Sequence, residues 1–300
     1  MGAWAGGYRC RVAEIRDATW DDFDAVVELL AARSRAVFGV SDVQPKHVCQ
    51  QWELPGFDCG WVAHSGGALV GYASLDSTQE PTIAAGDDEV ADALLRRVLD
   101  RARERGFDHV ALTAVREDAP LWALAERSGF ELDREILRMS RPLDGKLPAA
   151  TWPDGVRVRT FTDADGLAVH ALLDEAYAGW DRDYVAREHD AWLAFMTEHD
   201  DFDPSVWFLV ERGGELVACA LHWRVYQRRG WVKDIVVRES ERGKGLGKAL
   251  LHHAFNTYAA QGATRVGLKV DSTNPTGAPQ LYERVGFVTD QRYGIWLRRL

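Results

Sequence analysis

The 300-residue chain carries one pattern twice, and that repetition limits its fold more than any other feature. Gly66-Gly67 followed by Ala68-Leu69-Val70 returns 147 positions later as Gly213-Gly214 followed by Glu215-Leu216-Val217. Gly106, Val110 and Leu112 return 156 positions later as Gly262, Val266 and Leu268. Glu126-Arg127-Ser128-Gly129-Phe130 returns 157 positions later as Glu283-Arg284-Val285-Gly286-Phe287. Ile15-Arg16 matches Val158-Arg159. Between the copies, Pro142, Gly145, Pro148, Pro153 and Gly155 punctuate a linker. The expected organisation is a first domain over 1–145, a linker over 146–155 and a second domain over 156–300.

The second copy reads as a complete α/β unit. Residues 156–161 form a strand, and Asp163 caps a helix carrying Leu167, His170, Ala171, Leu172 and Ala176. A second helical stretch runs near 184–198. Strands at 207–211 and 216–223 are joined by Gly213-Gly214, a hairpin signal. A strand at 231–237 leads through a glycine-rich loop to a helix that ends near Gln261, with Gly262 as its stop. A strand at 265–270, a short helix at 280–284 and a last strand at 291–298 complete the order.

Bulk properties narrow the function. A formal charge of −10 argues against nucleic acid as the main partner, because phosphate contacts need clustered Lys and Arg. Cys10, Cys49, Cys59 and Cys219 are scattered without a Cys-x-x-Cys pair, so neither a zinc site nor a disulfide framework is expected. No stretch of 18 uninterrupted apolar residues exists, and no basic region precedes an apolar run at the N-terminus. The expectation is a cytoplasmic protein without membrane or nucleic-acid partners, monomeric or homodimeric.

The loop Arg242-Gly243-Lys244-Gly245-Leu246-Gly247-Lys248 lies between strand and helix, where backbone N–H groups and the helix dipole favour an anion. Arg242 and Lys244 add side-chain charge. A Walker loop is excluded, because Gly243 lies too close to the Gly-Lys pair and Ala249 replaces the Mg²⁺-binding hydroxyl. A dinucleotide fingerprint is excluded because Lys248 replaces its third glycine. The string fits Arg/Gln-x-x-Gly-x-Gly and resembles the loop of the GNAT superfamily of acyl-CoA-dependent N-acyltransferases, here in a tandem two-domain form. The resemblance implies an α/β (α+β) fold, each domain a mixed, mostly antiparallel central sheet flanked by helices. It also implies acetyl-CoA as cosubstrate, with no metal. Its pyrophosphate would be held by Arg242, Gly243, Lys244, Gly245, Leu246, Gly247 and Lys248, and its pantetheine arm by Ile235, Val236 and Val237.

Acetyl transfer to an amine needs an anchored thioester, a polarised carbonyl, a base for the ammonium and an acid for the thiolate. Leu281-Tyr282-Glu283-Arg284-Val285-Gly286-Phe287 resembles the family's Leu-Tyr-x-x-x-Gly-Phe helix, which implies Tyr282 as the acid. The same resemblance implies Asn274 as a pantetheine or helix partner, and Ile235 or Val237 as donor to the thioester oxygen. The family's strand Glu falls at Trp231. Asp234 on that strand is the first candidate base, provided that a bulge sets its facing; Asp271 is the second, and water without a protein base is a third route. His252-His253 diverge by about 100° on a helix and do not form a metal pair.

The first copy is nine residues shorter where the second carries its loop. Asp87-Asp88-Glu89 stand there and would repel a pyrophosphate, and Trp122 falls roughly at the Tyr282 position. Chemistry is therefore expected in the second domain only. Between Trp152 and Trp207, thirteen acids face four arginines, interleaved with Tyr177, Trp180, Tyr184, Trp192, Phe195 and Phe202. Such a rim suits a small cationic amine as acceptor. The alternative class is a CoA-binding sensor or interaction module without catalysis.

Overall fold

The computed structural model describes residues 13–41, 43–53, 60–179 and 184–300. These fall into two compact units, one running to Glu135 and including Tyr293–Leu300, the other Ile136–Arg292.

The first unit contains β1 (Glu14–Asp17), α1 (Phe23–Phe38), α2 (Pro45–Trp52), β2 (Gly60–Ser65), β3 (Ala68–Leu75) and β4 (Pro81–Ala85). It continues with α3 (Asp88–Glu104), β5 (His109–Val115), α4 (Ala119–Arg127) and the start of β6 (Glu131–Pro142). Strands β1-β2-β3-β4 form an antiparallel sheet. The apolar face of α3, with Val90, Leu94, Leu95 and Val98 buried, packs on this sheet. Gly71 makes that approach possible, since a Cβ there would lie 2.6 Å from Val90 Cγ1.

The second unit contains β7 (Val156–Thr160), α5 (Gly166–Ala178), α6 (His189–Thr197), β8 (Phe208–Arg212) and β9 (Glu215–Tyr226). There follow β10 (Arg229–Val237), α7 (Leu246–Ala260), β11 (Arg265–Asp271), α8 (Ala278–Arg284) and the start of β12 (Val288–Arg299). Its sheet has the order β7-β8-β9-β10-β11-β6, antiparallel except for the β10–β11 pair. The mixed, mostly antiparallel sheet with flanking helices is the expected fold.

The units divide the chain at 135 and 292, and the sequence suggested a first domain to 145 and a linker over 146–155. Ile136–Pro142 of β6 lie in register with Asp271–Arg265 of β11, and Tyr293–Arg299 of β12 lie in register with Val115–His109 of β5. The final strand of each sequence copy thus completes the unit of the other copy. Both final strands alternate alike, so the repeat could not say which sheet each would join.

The copies share a device built on Arg16 and Arg159. Arg16 forks onto Asp22 at 2.7 and 2.6 Å, and Asp22 accepts the Thr19 N–H at 2.9 Å. Arg159 forks onto Asp165 at 2.7 Å twice, and Asp165 accepts the Thr162 N–H at 2.8 Å. Thr162 and Asp165, not Asp163, therefore start the helical segment of the second unit, because Asp165 satisfies backbone and guanidinium together. The helix expected near 184–198 is shorter and is α6, while 184–188 adopt no regular element.

Candidate active site

Strands β10 and β11 pair in parallel from Arg229–Arg265 to Trp231–Gly267 and no further. Beyond that point the β11-facing backbone groups of Val232–Val237 have no strand partner, and the two strands open as a V. Trp231 sits at its base, so close over Gly267 that a Cβ there would lie 2.8 Å from the indole. The position of the family's strand carboxylate is thereby occupied by packing.

A bulge follows at once. Val232 opposes His222 and Asp234 opposes Leu221, which leaves Lys233 as the extra residue. This is the bulge on which Asp234's facing depended. Asp234 is only 8% exposed. The Tyr177 hydroxyl from α5 donates to its Oδ1, and Lys233 Nζ lies 3.2 Å from its Oδ2.

At the end of β10 the chain passes through a 3₁₀ turn (Glu239–Glu241) into the glycine loop. Gly243 and Gly245 have φ of 75° and 90°, a left-handed backbone that favours glycine, and Gly245 is the N-cap of α7. The first intrahelical bond there is Ala249 N–H to Gly245 O at 3.0 Å, so the N–H groups of Leu246, Gly247 and Lys248 precede the ladder. With no Cβ on Gly243, Gly245 or Gly247, this helix start fits a phosphate. Gly247 has a second use: a Cβ on it would lie 2.9 Å from Leu281 Cδ2, so its absence lets α7 approach α8. The expected side-chain charge is partly spent, since Lys244 donates to Glu241 at 3.1 Å and Arg242 Nε donates to Val237 O at 3.1 Å.

Helix α8 carries Tyr282, which is 6% exposed and packs edge-on to Phe287. Burial, with the Asp234 charge second, raises the Tyr282 phenol well above its ordinary range. It remains a proton donor at neutral pH. The same Asp234 charge, after burial, raises Cys219 on β9. Tyr177 is raised first by burial, then by the Asp234 charge and the bond to it, with Tyr282 and Cys219 adding smaller effects. Asp234 and Tyr282, the two candidate catalytic groups, thus act on each other electrostatically.

Tyr184 stacks on Tyr177 at 5.4 Å and 18° and donates its hydroxyl to Asp174. His170 Nε2 lies 3.6 Å from Asp174, and its ring stacks on Trp192. Beside this cluster a cleft is lined by Leu172, Glu175, Ala176 and Gly179, by Arg238, Glu239 and Arg242, and by Pro275 and Thr276.

The acidic rim narrows on inspection. Asp165 is held by Arg159, Asp201 by Arg224 and Glu175 by Arg238, and Asp203 caps a turn. Trp192 is buried and Phe202 packs against the core. Asp174 is joined to Asp234 through the stacked Tyr184 and Tyr177. Cys10, Cys59, Trp180, Asp181 and Asp183 lie outside the described residues.

Other candidates are engaged elsewhere. Asn274 Oδ1 accepts the N–H and hydroxyl of Thr276, which closes the turn before α8. Asp271 Oδ1 accepts both groups of Thr273 at 2.7 Å. His252 faces Ala149 O at 3.4 Å, and His253 packs on Trp152 and Phe208. Among the described residues no three His, Cys, Asp or Glu side chains cluster as metal ligands, and no helix is long and apolar enough to cross a membrane.

In the first unit only Gly86 and Asp87 separate β4 from α3. Asp87 is the N-cap and accepts the Val90 N–H at 2.9 Å, so its own carboxylate fills the anion position. The Tyr282 counterpart is Ala125, not Trp122. Phe130 N–H bonds Ala125 O at 3.1 Å, as Phe287 N–H bonds Tyr282 O at 3.0 Å. Trp122 instead packs edge-on against Trp296. Arg33 and Asp118 form an ion pair at 2.5 Å where repeat register gives Ala176 and Pro275, two residues of the second unit's cleft.

The acetyltransferase (GNAT) family model matches residues 167–287. Curated relatives include a mycothiol acetyltransferase of Streptomyces coelicolor, 32% identical over 93% of each chain. Another mycothiol acetyltransferase, of Streptomyces avermitilis, is 33% identical over 92% of this chain and 96% of its own. Among solved structures, a GCN5-related N-acetyltransferase from Sphaerobacter thermophilus has a TM-score of 0.78 at 24% identity, covering 96% and 95% of the two chains. A tandem GNAT protein from the clavulanic acid biosynthesis pathway has a TM-score of 0.72 at 16% identity, covering 96% and 98%. These two structures share the fold.

Proposed function

The chain belongs to the GNAT acetyltransferase family and is an N-acetyltransferase, and we propose that its second unit alone moves the acetyl group of acetyl-CoA directly to a small cationic amine. Acetyl-CoA supplies the activated thioester. The amides of Leu246, Gly247 and Lys248 at the start of α7 bind its pyrophosphate, and the unpaired edge of Ile235, Val236 and Val237 lies along the pantetheine arm. Ile235 or Val237 N–H polarises the thioester carbonyl. Asp234 takes one proton from the acceptor ammonium and the freed amine attacks the carbonyl carbon; as the C–S bond breaks, Tyr282 gives its proton to the thiolate sulfur, and the second nitrogen proton, lost as the amide forms, restores the phenol. The observation that carries this reading is the parallel β10–β11 pair that ends at Trp231–Gly267, with the bulged, buried Asp234 beyond it and a glycine-capped helix start after the same strand.

Asp234, Asp174 and the stacked Tyr177–Tyr184 pair support a positively charged acceptor through Coulomb attraction and aromatic faces. The names of the curated relatives support placing the amine that mycothiol acetyltransferases acetylate at the head of a test panel. The Asp87 cap and the Arg33–Asp118 pair support a first unit without acetyl-CoA. Incubation with acetyl-CoA and a panel of cationic, neutral and anionic amines, with CoA release followed, tests the reading. Turnover favouring cationic amines at low salt is expected. Absence of CoA release across the panel, or equal turnover of anionic amines, would overturn it.

A further inference from the structure

A base on a bulged strand must be held in one orientation to meet the acceptor amine. The surroundings of Asp234 supply that hold. The titratable and charged groups acting on it are Tyr177 and Tyr184 from the α5 side, Cys219 from β9, Lys233 on its own strand and Tyr282 from α8. Of these, Tyr177 gives its hydroxyl proton to Oδ1, and Lys233 Nζ lies 3.2 Å from Oδ2. A carboxylate has about four lone-pair sites, so two donors leave room for the acceptor's ammonium. The Tyr177 ring is fixed as well, because Tyr184 lies flat on it and is itself anchored through Asp174.

We propose that Tyr177 is the positioning residue of this acetyltransferase: its hydroxyl holds the Asp234 carboxylate in place on the bulge and aims its free lone pairs at the acceptor amine. The inference rests on the reading of Asp234 as the base. A buried tyrosine needs some acceptor, and a backbone carbonyl would serve a merely structural one. Here the acceptor is a buried charge, on a bulge, within reach of Tyr282. Trp231 leaves strand β10 with no carboxylate at the position the family uses, so the site depends on a device of its own.

The test compares wild type, Tyr177→Phe, Asp234→Asn and the double variant by steady-state kinetics across pH. Losing a donor to the charged form favours protonation of a carboxylate. In Tyr177→Phe the acidic limb of kcat/KM for the amine should therefore move to higher pH. At neutral pH kcat/KM should fall about tenfold or more, while KM for acetyl-CoA stays unchanged. The double variant should be no worse than Asp234→Asn alone. A Tyr177→Phe limb that superimposes on wild type while Asp234→Asn is inactive would overturn the role of Tyr177 and leave the base assignment standing. A wild-type profile in Asp234→Asn would overturn the base assignment and the proposal with it. If Tyr177→Phe does not fold, the ¹³Cζ resonance of Tyr177 in the wild-type protein serves instead. It should titrate with the acidic limb, and a flat response through that limb would overturn the proposal.

Discussion

The Tyr177 hydroxyl donates to the Asp234 carboxylate and so ties the last turn of α5 to the bulge of β10. The bond exists because Lys233 is an extra residue in the strand. Asp234 consequently shares a face with Val236 and with Leu221 and Cys219 of β9, opposite to Val232 and His222, and so meets Tyr177 of α5.

Tyr282→Phe removes one oxygen from a buried ring and keeps its packing on Phe287. Turnover should fall about a hundredfold or more, the usual worth of a general acid, with KM for acetyl-CoA little changed. Steady-state kinetics with the best amine of the panel measures this. Unaltered kcat would assign the proton to water.

Gly245→Glu should abolish acetyl-CoA binding, because a carboxylate enters the anion site. The residue's φ of 90° adds a backbone cost of about 1–3 kcal/mol. Gly245→Asn, which tolerates that backbone better, separates strain from charge. It should retain measurable binding by calorimetry, and Asp88→Asn with Glu89→Gln in the first unit should leave affinity unchanged.

The Arg159–Asp165 fork predicts an acid-sensitive second unit. Hydrogen bonds from Arg159, ahead of those from Thr162, hold the Asp165 carboxyl down to about 2. A depressed carboxyl stabilises the fold above its unfolded value near 3.8, and the contribution is lost as pH falls from there towards 2. With the partly exposed Arg159 screened by solvent, the contribution is on the order of 1–2 kcal/mol. Asp165→Asn should lower Tm at pH 6 and show a smaller further loss between pH 4 and 2 than wild type.

His222 provides a second pH signature. It is fully buried, and neither ring nitrogen has a hydrogen-bond partner. Burial, and secondarily His253, lowers its pKa to about 3. The fold therefore favours neutral imidazole, and the stability present above the unfolded value near 6.5 is lost as pH falls towards 3. His222→Leu should reduce the drop in Tm between pH 7 and 4.5, measured by thermal melts. An unchanged drop would place the acid sensitivity elsewhere.

Much of the fold and part of the site were legible in the chain. The Gly-Gly hairpins, the glycine helix stops and the Arg242–Lys248 loop depend on local backbone conformation, which glycine spacing writes directly. Each of Gly66, Gly67, Gly106, Gly129, Gly213, Gly214, Gly262 and Gly286 has positive φ. The Arg-x-x-Thr-x-x-Asp pattern at 16–22 and 159–165 was equally present in the sequence. Its partners, three and six residues apart, mimic an ordinary helix cap, so the spacing alone does not distinguish the fork.

What the sequence determined by itself was therefore local: a fold written twice, one phosphate-fitting loop, and a tyrosine on a short helix. What only the tertiary structure decided was which distant groups meet. The bulge at Lys233, the reach of Tyr177 to Asp234 and the exchanged final strands all depend on register between segments far apart in the chain. A strand's alternation gives its two faces but not its partner, and one residue of bulge reverses the faces. Packing settles both, because only one register buries the apolar face and leaves Asp234 with a donor on each oxygen.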